Sequence, residues 1–139
     1  METTTPTTAT LCARDLPISR KMAIEICREI RLLPLAKAER LLNDVVTMKR
    51  ALRVRRFDFD LSHKAGLGPA RFPISAASTF IHLLHSVKAN AEQKGLHPEK
   101  LIISVAKADQ GPRRYHSGRQ LRTKMKSTHV ELHVQESAK

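Results

Sequence analysis

The sequence predicts an α+β fold, on three observations. Three stretches carry apolar residues at helical spacing. Two later stretches carry the β-branched or alternating pattern of strands. The roughly 20 residues between those strands have no apolar periodicity, and a tight hairpin needs only about 2–5 loop residues. The two strands are therefore expected to run outward as a long two-stranded arm.

Residues 1–10, METTTPTTAT, are polar and Thr-rich and read as a disordered tail. They lack the charged start and apolar stretch of a secretory signal, and the arginines of a mitochondrial transit peptide. A single domain is expected over 11–135, with the arm at about 106–128 and a C-terminal tail at 136–139. Residues 11–16 read as a short edge strand. Ser19 is a suitable N-cap for a first helix, in which Met22, Ala23, Ile26, Cys27 and Ile30 form one stripe. Pro34 suits the first turn of a second helix with Leu35, Ala38, Leu41, Leu42 and Val45 inward.

Residues 49–72 change character. Basic residues crowd together, and Ala65-Gly66-Leu67-Gly68-Pro69 carries turn chemistry, so the segment reads as a basic loop. Two glycines with no strand before them do not make a phosphate-binding fingerprint. Pro73 opens a third helix that ends near Gly95, with Pro98 beyond. Steps of 100° put Ile74, Ala77, Phe80, Ile81, Leu84, Val87 and Ala91 on one half. Leu101 to Ala106 is a strand, and Thr128 to Val134 alternates Val130, Leu132 and Val134 against His129, Glu131 and His133. The turn of the arm is placed near Ser117-Gly118.

Aromatics are only 4% and Trp is absent, so the core is built from aliphatic side chains. Cys12 and Cys27 could pair, but Cys27 falls on an apolar helix face, which favours a buried thiol in a reducing compartment. No segment approaches the ~20 apolar residues of a membrane span. No basic helix carries the opposing aromatic face of a membrane-surface helix, so no membrane partner is expected.

Charge is the unusual quantity. Lys and Arg number 25 against 13 acids, a net +12. Such a field attracts a polyanion and releases its counterions, and it is the footprint of nucleic-acid binding. The alternative is a protein that is merely basic. The arm holds Arg113, Arg114, Arg119, Arg122, Lys124 and Lys126, with Tyr115 among them and no acid in the run. It has no apolar face to bury, and its like charges repel, so it needs an anionic partner to hold one conformation. Arginine can fork onto phosphate oxygens, and a tyrosine can stack on a splayed base. Lys49, Arg50, Arg53, Arg55 and Arg56, then Lys64 and Arg71, form a second basic cluster.

The seven histidines suggest neither a metal site nor a catalytic one. His82 and His85 share the polar face of the third helix. His129 and His133 share a strand face but lie about 13 Å apart at roughly 3.3 Å per residue. Neither pair has a zinc-like partner set, and no cofactor motif is visible. A nuclease centred on His129 and Glu131 stays conceivable, but it would need a carboxylate cluster that the sequence does not offer.

In this order, a set of segments carries a specific resemblance. They are AIEICREI at 23–30, LLNDV at 41–45, KRA at 49–51, RFP at 71–73, KANAE at 88–92, KGL at 94–96, Gly118-Arg119, and THVEL at 128–132. From about Asp15 to Gln135 the chain resembles the universal large-subunit ribosomal protein family numbered twenty-two, in its archaeal and eukaryotic form. The resemblance implies three helices packed on a small three-stranded antiparallel sheet, with a long protruding β-hairpin. It implies a non-catalytic constituent of the large subunit, cytoplasmic in the ribosome and assembled in the nucleolus if eukaryotic. Its partners would be ribosomal RNA, neighbouring ribosomal proteins and, transiently, the nascent polypeptide. By position, the six arm cations would contact RNA. Tyr115, His116, Ser117 and Gly118 would lie near a tip that lines the exit tunnel. Arg20 and Lys21 fall where the family places basic contacts.

The sequence departs from the family at two places. The segment from Gly111-Pro112 to Thr128 is several residues shorter than usual, which implies a shorter reach. Ser75 stands where relatives often carry lysine. The rival expectations are a free-standing RNA-binding regulator and the metal-dependent nuclease.

Overall fold

A computed structural model describes residues 8–120 and 122–137. Along the chain run β1 (Thr8–Leu16), α1 (Arg20–Ile30), α2 (Leu35–Val46), β2 (Leu52–Arg53), β3 (His63–Lys64), β4 (Gly68–Arg71), α3 (Ile74–Gln93), a short 3₁₀ turn (Pro98–Lys100), β5 (Leu101–Gln110) and β6 (Thr128–Glu136).

The apolar stripes read from the sequence are the faces the helices bury. Ala23, Ile26, Cys27 and Ile30 of α1 are inside, as are Leu35, Ala38, Leu41, Leu42 and Val45 of α2. On α3 the buried set is Ala76, Ala77, Phe80, Leu84, Val87 and Ala91, and Ile74 and Ile81 are only half-buried. Helix α3 stops in a Schellman motif. Gly95, at φ +77, donates its N–H to the Glu92 carbonyl, and Leu96 donates to the Ala91 carbonyl. The expected cap at Ser19 is corrected in one respect. Its carbonyl accepts from Ala23 N–H at 2.9 Å, but its hydroxyl makes no capping bond.

The main sheet is antiparallel in the order β1-β6-β5. β6 is the centre, and its Val130, Leu132 and Val134 enter the core. Opposite them stand Ala13, Leu11 and Ala9 of β1 and Ala108, Ala106 and Ile103 of β5. Helices α1 and α3 pack on this sheet and α2 packs on α3, so the fold is three helices on a three-stranded sheet.

Three boundaries differ from the sequence reading. β1 begins at Thr8, so residues 8–10 are strand where composition suggested tail; Ala9 is buried and pairs with Val134. Residues 1–7 lie outside the described residues, as do 138 and 139 of the expected C-terminal tail. Glu136, also assigned to that tail, ends β6. The segment 49–72 is not a loop throughout, because β2, β4 and β3 form a second small sheet in that order. These strands have two to four residues and include Gly68 and Pro69, so no alternation betrays them.

Beyond β5 and β6 the arm continues. Gly111 N–H donates to the Ser127 carbonyl, Met125 N–H to Arg114, and His116 N–H to Thr123, with Tyr115 opposite Lys124. Between the Gly111–Ser127 and Tyr115–Lys124 pairs the outgoing side has three residues and the returning side two. That extra residue is a bulge beside Pro112, which has no N–H to give the ladder.

The root of the arm is tied to the body. Ser127 Oγ donates to Asp15 Oδ1 at 3.0 Å, Asp15 N–H donates to His129 Nδ1 at 3.1 Å, and buried Thr128 donates to the Ile18 carbonyl at 2.9 Å. A Cβ on Gly111 would stand 2.1 Å from Ser127 Oγ. Gly111→Ala is therefore expected to destabilise the chain by about 1–3 kcal/mol in urea unfolding, with partial recovery when Ser127→Ala is added.

Both cysteines are free thiols; Cys12 is exposed and Cys27 is buried. Burial pushes the Cys27 thiol up to about 12, against the pull of Arg31 and with a push from Asp109. The thiolate is the reactive form. A thiol reagent at pH 8–10 is expected to label Cys12 alone, with Cys27 reacting only after denaturant is added.

Candidate nucleic-acid interface

The predicted basic residues come from four places in the sequence, and the fold gathers most of them. Arg20 and Lys21 open α1. With Ile18 and Ser19 they form one wall of a groove whose other wall is Arg113, Lys124, Met125, Lys126 and Ser127 at the arm's base. Two clusters some 90 residues apart thus share one concavity. Arg20 also faces a second hollow with Arg31, Arg56 and the β5 residues 106–110. Its Nε is buried without a hydrogen-bond partner among the described residues. Arg114 and Lys126 line a third hollow with Asp15, Pro17 and Pro112.

The second cluster lies beside α1. Arg50, Arg53 and Arg55 line a cleft with Glu29, Leu41 and Leu67. Lys49 and Arg50 donate their backbone N–H groups to the Asp44 carbonyl, which turns the chain out of α2. Lys64 lies 6.0 Å from the Phe72 ring centre. Arg71 is exposed at the end of β4, opposite Leu52.

Along the arm, Arg113, Arg114, Arg119, Arg122, Lys124 and Lys126 are all exposed. Among the described residues none of them pairs with an acid; the cations in ion pairs are Arg55 with Glu29 at 3.1 Å and Lys107 with Glu131 at 3.9 Å, besides His133 with Glu131. Tyr115 is exposed, but Lys124 sits 5.1 Å from its ring centre, so one face is already covered. His116, Ser117 and Gly118 are exposed at the outer end, where the chain bends and Gly118 takes φ +146.

A profile of the family described as Ribosomal protein L22p/L17e matches residues 11–135. The chain belongs to this family. It is 45% identical over 100 residues to the large ribosomal subunit protein uL22 of Methanothrix thermoacetophila, covering 70% of the chain and 66% of that relative. It is 36% identical over 146 residues to uL22 of Methanococcus aeolicus, covering 98% and 94%. It is 37% identical over 137 residues to uL22 of Nanoarchaeum equitans, covering 93% and 79%. The match thus spans about two thirds of the first relative and nearly all of the second.

In this L22p/L17e chain, several residues of the basic surface escaped the sequence reading. Arg31 donates to the Ala106 carbonyl at 2.7 Å and lines the hollow beside Arg20. Lys21 lies 5.6 Å and Arg56 5.5 Å from the Phe57 ring centre. Glu25 is buried and accepts the backbone N–H groups of Arg55 and Arg56. One signal was available for Glu25: an acid beside an otherwise apolar helical stripe in a chain rich in arginine.

The nuclease constellation does not assemble. His129 is engaged with Asp15 N–H, and the Glu131 carboxylate is engaged by His133 at 2.7 Å and by Lys107. Both side chains serve the strand they sit on. Among the described residues, Arg119 and Arg122 make no hydrogen bond or ion pair with the body. Arg119→Ala with Arg122→Ala is therefore expected to change unfolding free energy by less than about 0.5 kcal/mol. A larger loss in thermal or urea unfolding would show that they hold the fold itself.

Proposed function

We propose that the chain is a non-enzymatic structural constituent of the large ribosomal subunit. It binds ribosomal RNA through phosphates and RNA shape, with its arm laid between RNA segments. The observation that carries the reading is an arm of exposed cations that has neither acids to neutralise them nor an apolar core to steady it. Counterion release from packed phosphates supplies what the arm cannot supply itself. The groove between α1 and the arm's base suits RNA backbone, because Arg20, Lys21, Arg113, Lys124 and Lys126 meet there. Lys49, Arg50, Arg53, Arg55, Arg56, Lys64 and Arg71 extend the contact over the second sheet.

Membership of the L22p/L17e family, and relatives named as large-subunit proteins, support this assignment over a regulator acting off the ribosome. In the same reading, 11–135 act as one unit. Tyr115, His116, Ser117 and Gly118 face the polypeptide exit tunnel and meet the nascent chain in passing. Neighbouring ribosomal proteins complete the surroundings, in the cytoplasm.

Affinity for large-subunit RNA is expected to fall linearly with salt on a double-logarithmic plot. The slope should be shallower by about 0.7–0.9 for each phosphate contact removed, so by roughly 1.5 for the Arg119→Ala, Arg122→Ala pair. The protein should also stay with salt-washed large subunits in sedimentation. Recovery in the free fraction would favour the regulator, and RNA cleavage by pure protein with a divalent metal would favour the nuclease.

A further inference from the structure

We propose that Glu25 is a positioning residue for Arg55 and Arg56, holding their backbone in the place from which this basic segment meets RNA. The proposal rests on the reading that this basic segment contacts ribosomal RNA. Glu25 is 0% exposed, within an α1 face otherwise filled by Ala23, Ile26 and Cys27. A buried carboxylate is costly unless its oxygens find donors. Among the described residues it forms no ion pair. Instead, one oxygen accepts Arg55 N–H at 3.2 Å and the other accepts Arg56 N–H at 2.8 Å.

Consecutive N–H groups point to opposite sides of an extended strand and cannot reach one carboxylate from there. Their convergence requires the chain to leave β2 and bend, and residues 55–57 are a bend. Two successive amides turned inward form an anion-binding concavity. Here it is filled by the protein's own carboxylate, while the Arg55 side chain reaches Glu29 and the Arg56 side chain reaches the Phe57 ring.

Helix α1 supplies a complete clasp at one-turn spacing. Lys21 lies over the Phe57 ring, Glu25 takes the two amides, and Glu29 takes the Arg55 guanidinium at 3.1 Å. Positions i, i+4 and i+8 share one side of a helix. Arg56 covers Phe57 as well, so Lys21 and Arg56 sit at one ring. The clasp fastens the second basic cluster to the helix that carries Arg20 and Lys21, and makes one surface of two.

The test compares the full-length chain with Glu25→Gln, which keeps the size, one acceptor oxygen and no charge. Amide hydrogen exchange is read at Arg55 and Arg56. Affinity for large-subunit RNA is read at a temperature where both proteins are fully folded by circular dichroism. Slow exchange at both amides in the wild type is expected, with at least tenfold faster exchange in Glu25→Gln while the α1 amides stay slow. RNA affinity is expected to fall about tenfold, within the range over which contacting residues couple. Arg55→Ala with Arg56→Ala should lower affinity similarly, and adding Glu25→Gln should cost little more. The arm pair Arg119→Ala, Arg122→Ala should multiply with Glu25→Gln in full.

Unchanged RNA affinity in Glu25→Gln, where the arginine pair does lose affinity, would overturn the positioning role. So would full multiplication of the two effects, since a purely structural glutamate predicts independence. If the arginine pair itself has no effect, the RNA reading of this segment fails instead. Should Glu25→Gln not fold, the wild-type exchange decides alone: Arg55 and Arg56 amides as fast as open loop amides would end the proposal.

Discussion

An arm without a core of its own can only be as well placed as its root, and the root of this arm is the N-terminal end of β6. That strand is the only one in the main sheet paired on both edges. It sends Val130, Leu132 and Val134 into the centre of the protein and then passes through Thr128 and Ser127 into the arm. The junction is dense with polar ties. Thr128 reaches Ile18, Ser127 reaches Asp15, and Asp15 reaches His129. Gly111, opposite Ser127, is buried so closely that no side chain fits there. The outer ribbon has no ion pair of its own among the described residues, whereas its direction of departure is set by the body.

Four of the acids fix geometry rather than neutralise the arm. Asp15 holds the root, Glu25 and Glu29 hold the segment after β2, and Glu131 holds Lys107 and His133 along the sheet. Each fixes the backbone or a neighbour of the basic surface and leaves the outer cations untouched. The net +12 is therefore an uneven quantity. Opposite charges are used where geometry must be fixed, and uncompensated charge is left along the exposed arm. The charge pattern and the packing pattern converge on one construction: a neutral core, an anchored collar and a cationic extension.

The sequence disclosed those parts unequally, for physical reasons. Long helices with period 3.6 and strands with period 2 write their faces into the chain. Leu35, Ala38, Leu41, Leu42 and Val45 of α2, and Val130, Leu132 and Val134 of β6, were legible for that reason. The small β2-β4-β3 sheet was not, because its strands are too short to show a period and contain Gly68 and Pro69. Thr8 to Thr10 looked like tail because pairing with the end of β6 is a long-range event that local composition does not reveal. The cations of the candidate site were legible as types, and their gathering was not. That Arg20 and Lys21 face Arg113, Lys124 and Lys126 depends on how α1 lies against β5. Glu25 was hidden deepest, since its partners are backbone groups, which every residue has and no motif announces.

The bulge beside Pro112 changes which side chains face each other across the cationic ribbon. Gln110 stands opposite Thr128, and continuing that register would set Arg114 directly across from Lys124. Two like charges facing across a ladder push its strands apart. The additional residue slides one edge along by a step, so that Lys124 meets the Tyr115 ring instead, at 5.1 Å, and Arg114 shares its hydrogen bond with Met125. The same step leaves Pro112 and Arg113 together opposite Lys126, so a like-charged rung stays at the base of the ribbon while the rung above it pairs a cation with an aromatic. The stagger thus moves the cationic rung down to the tied root, where Ser127 and Thr128 hold the ribbon to the body, and leaves the outer rung to a ring and a lysine.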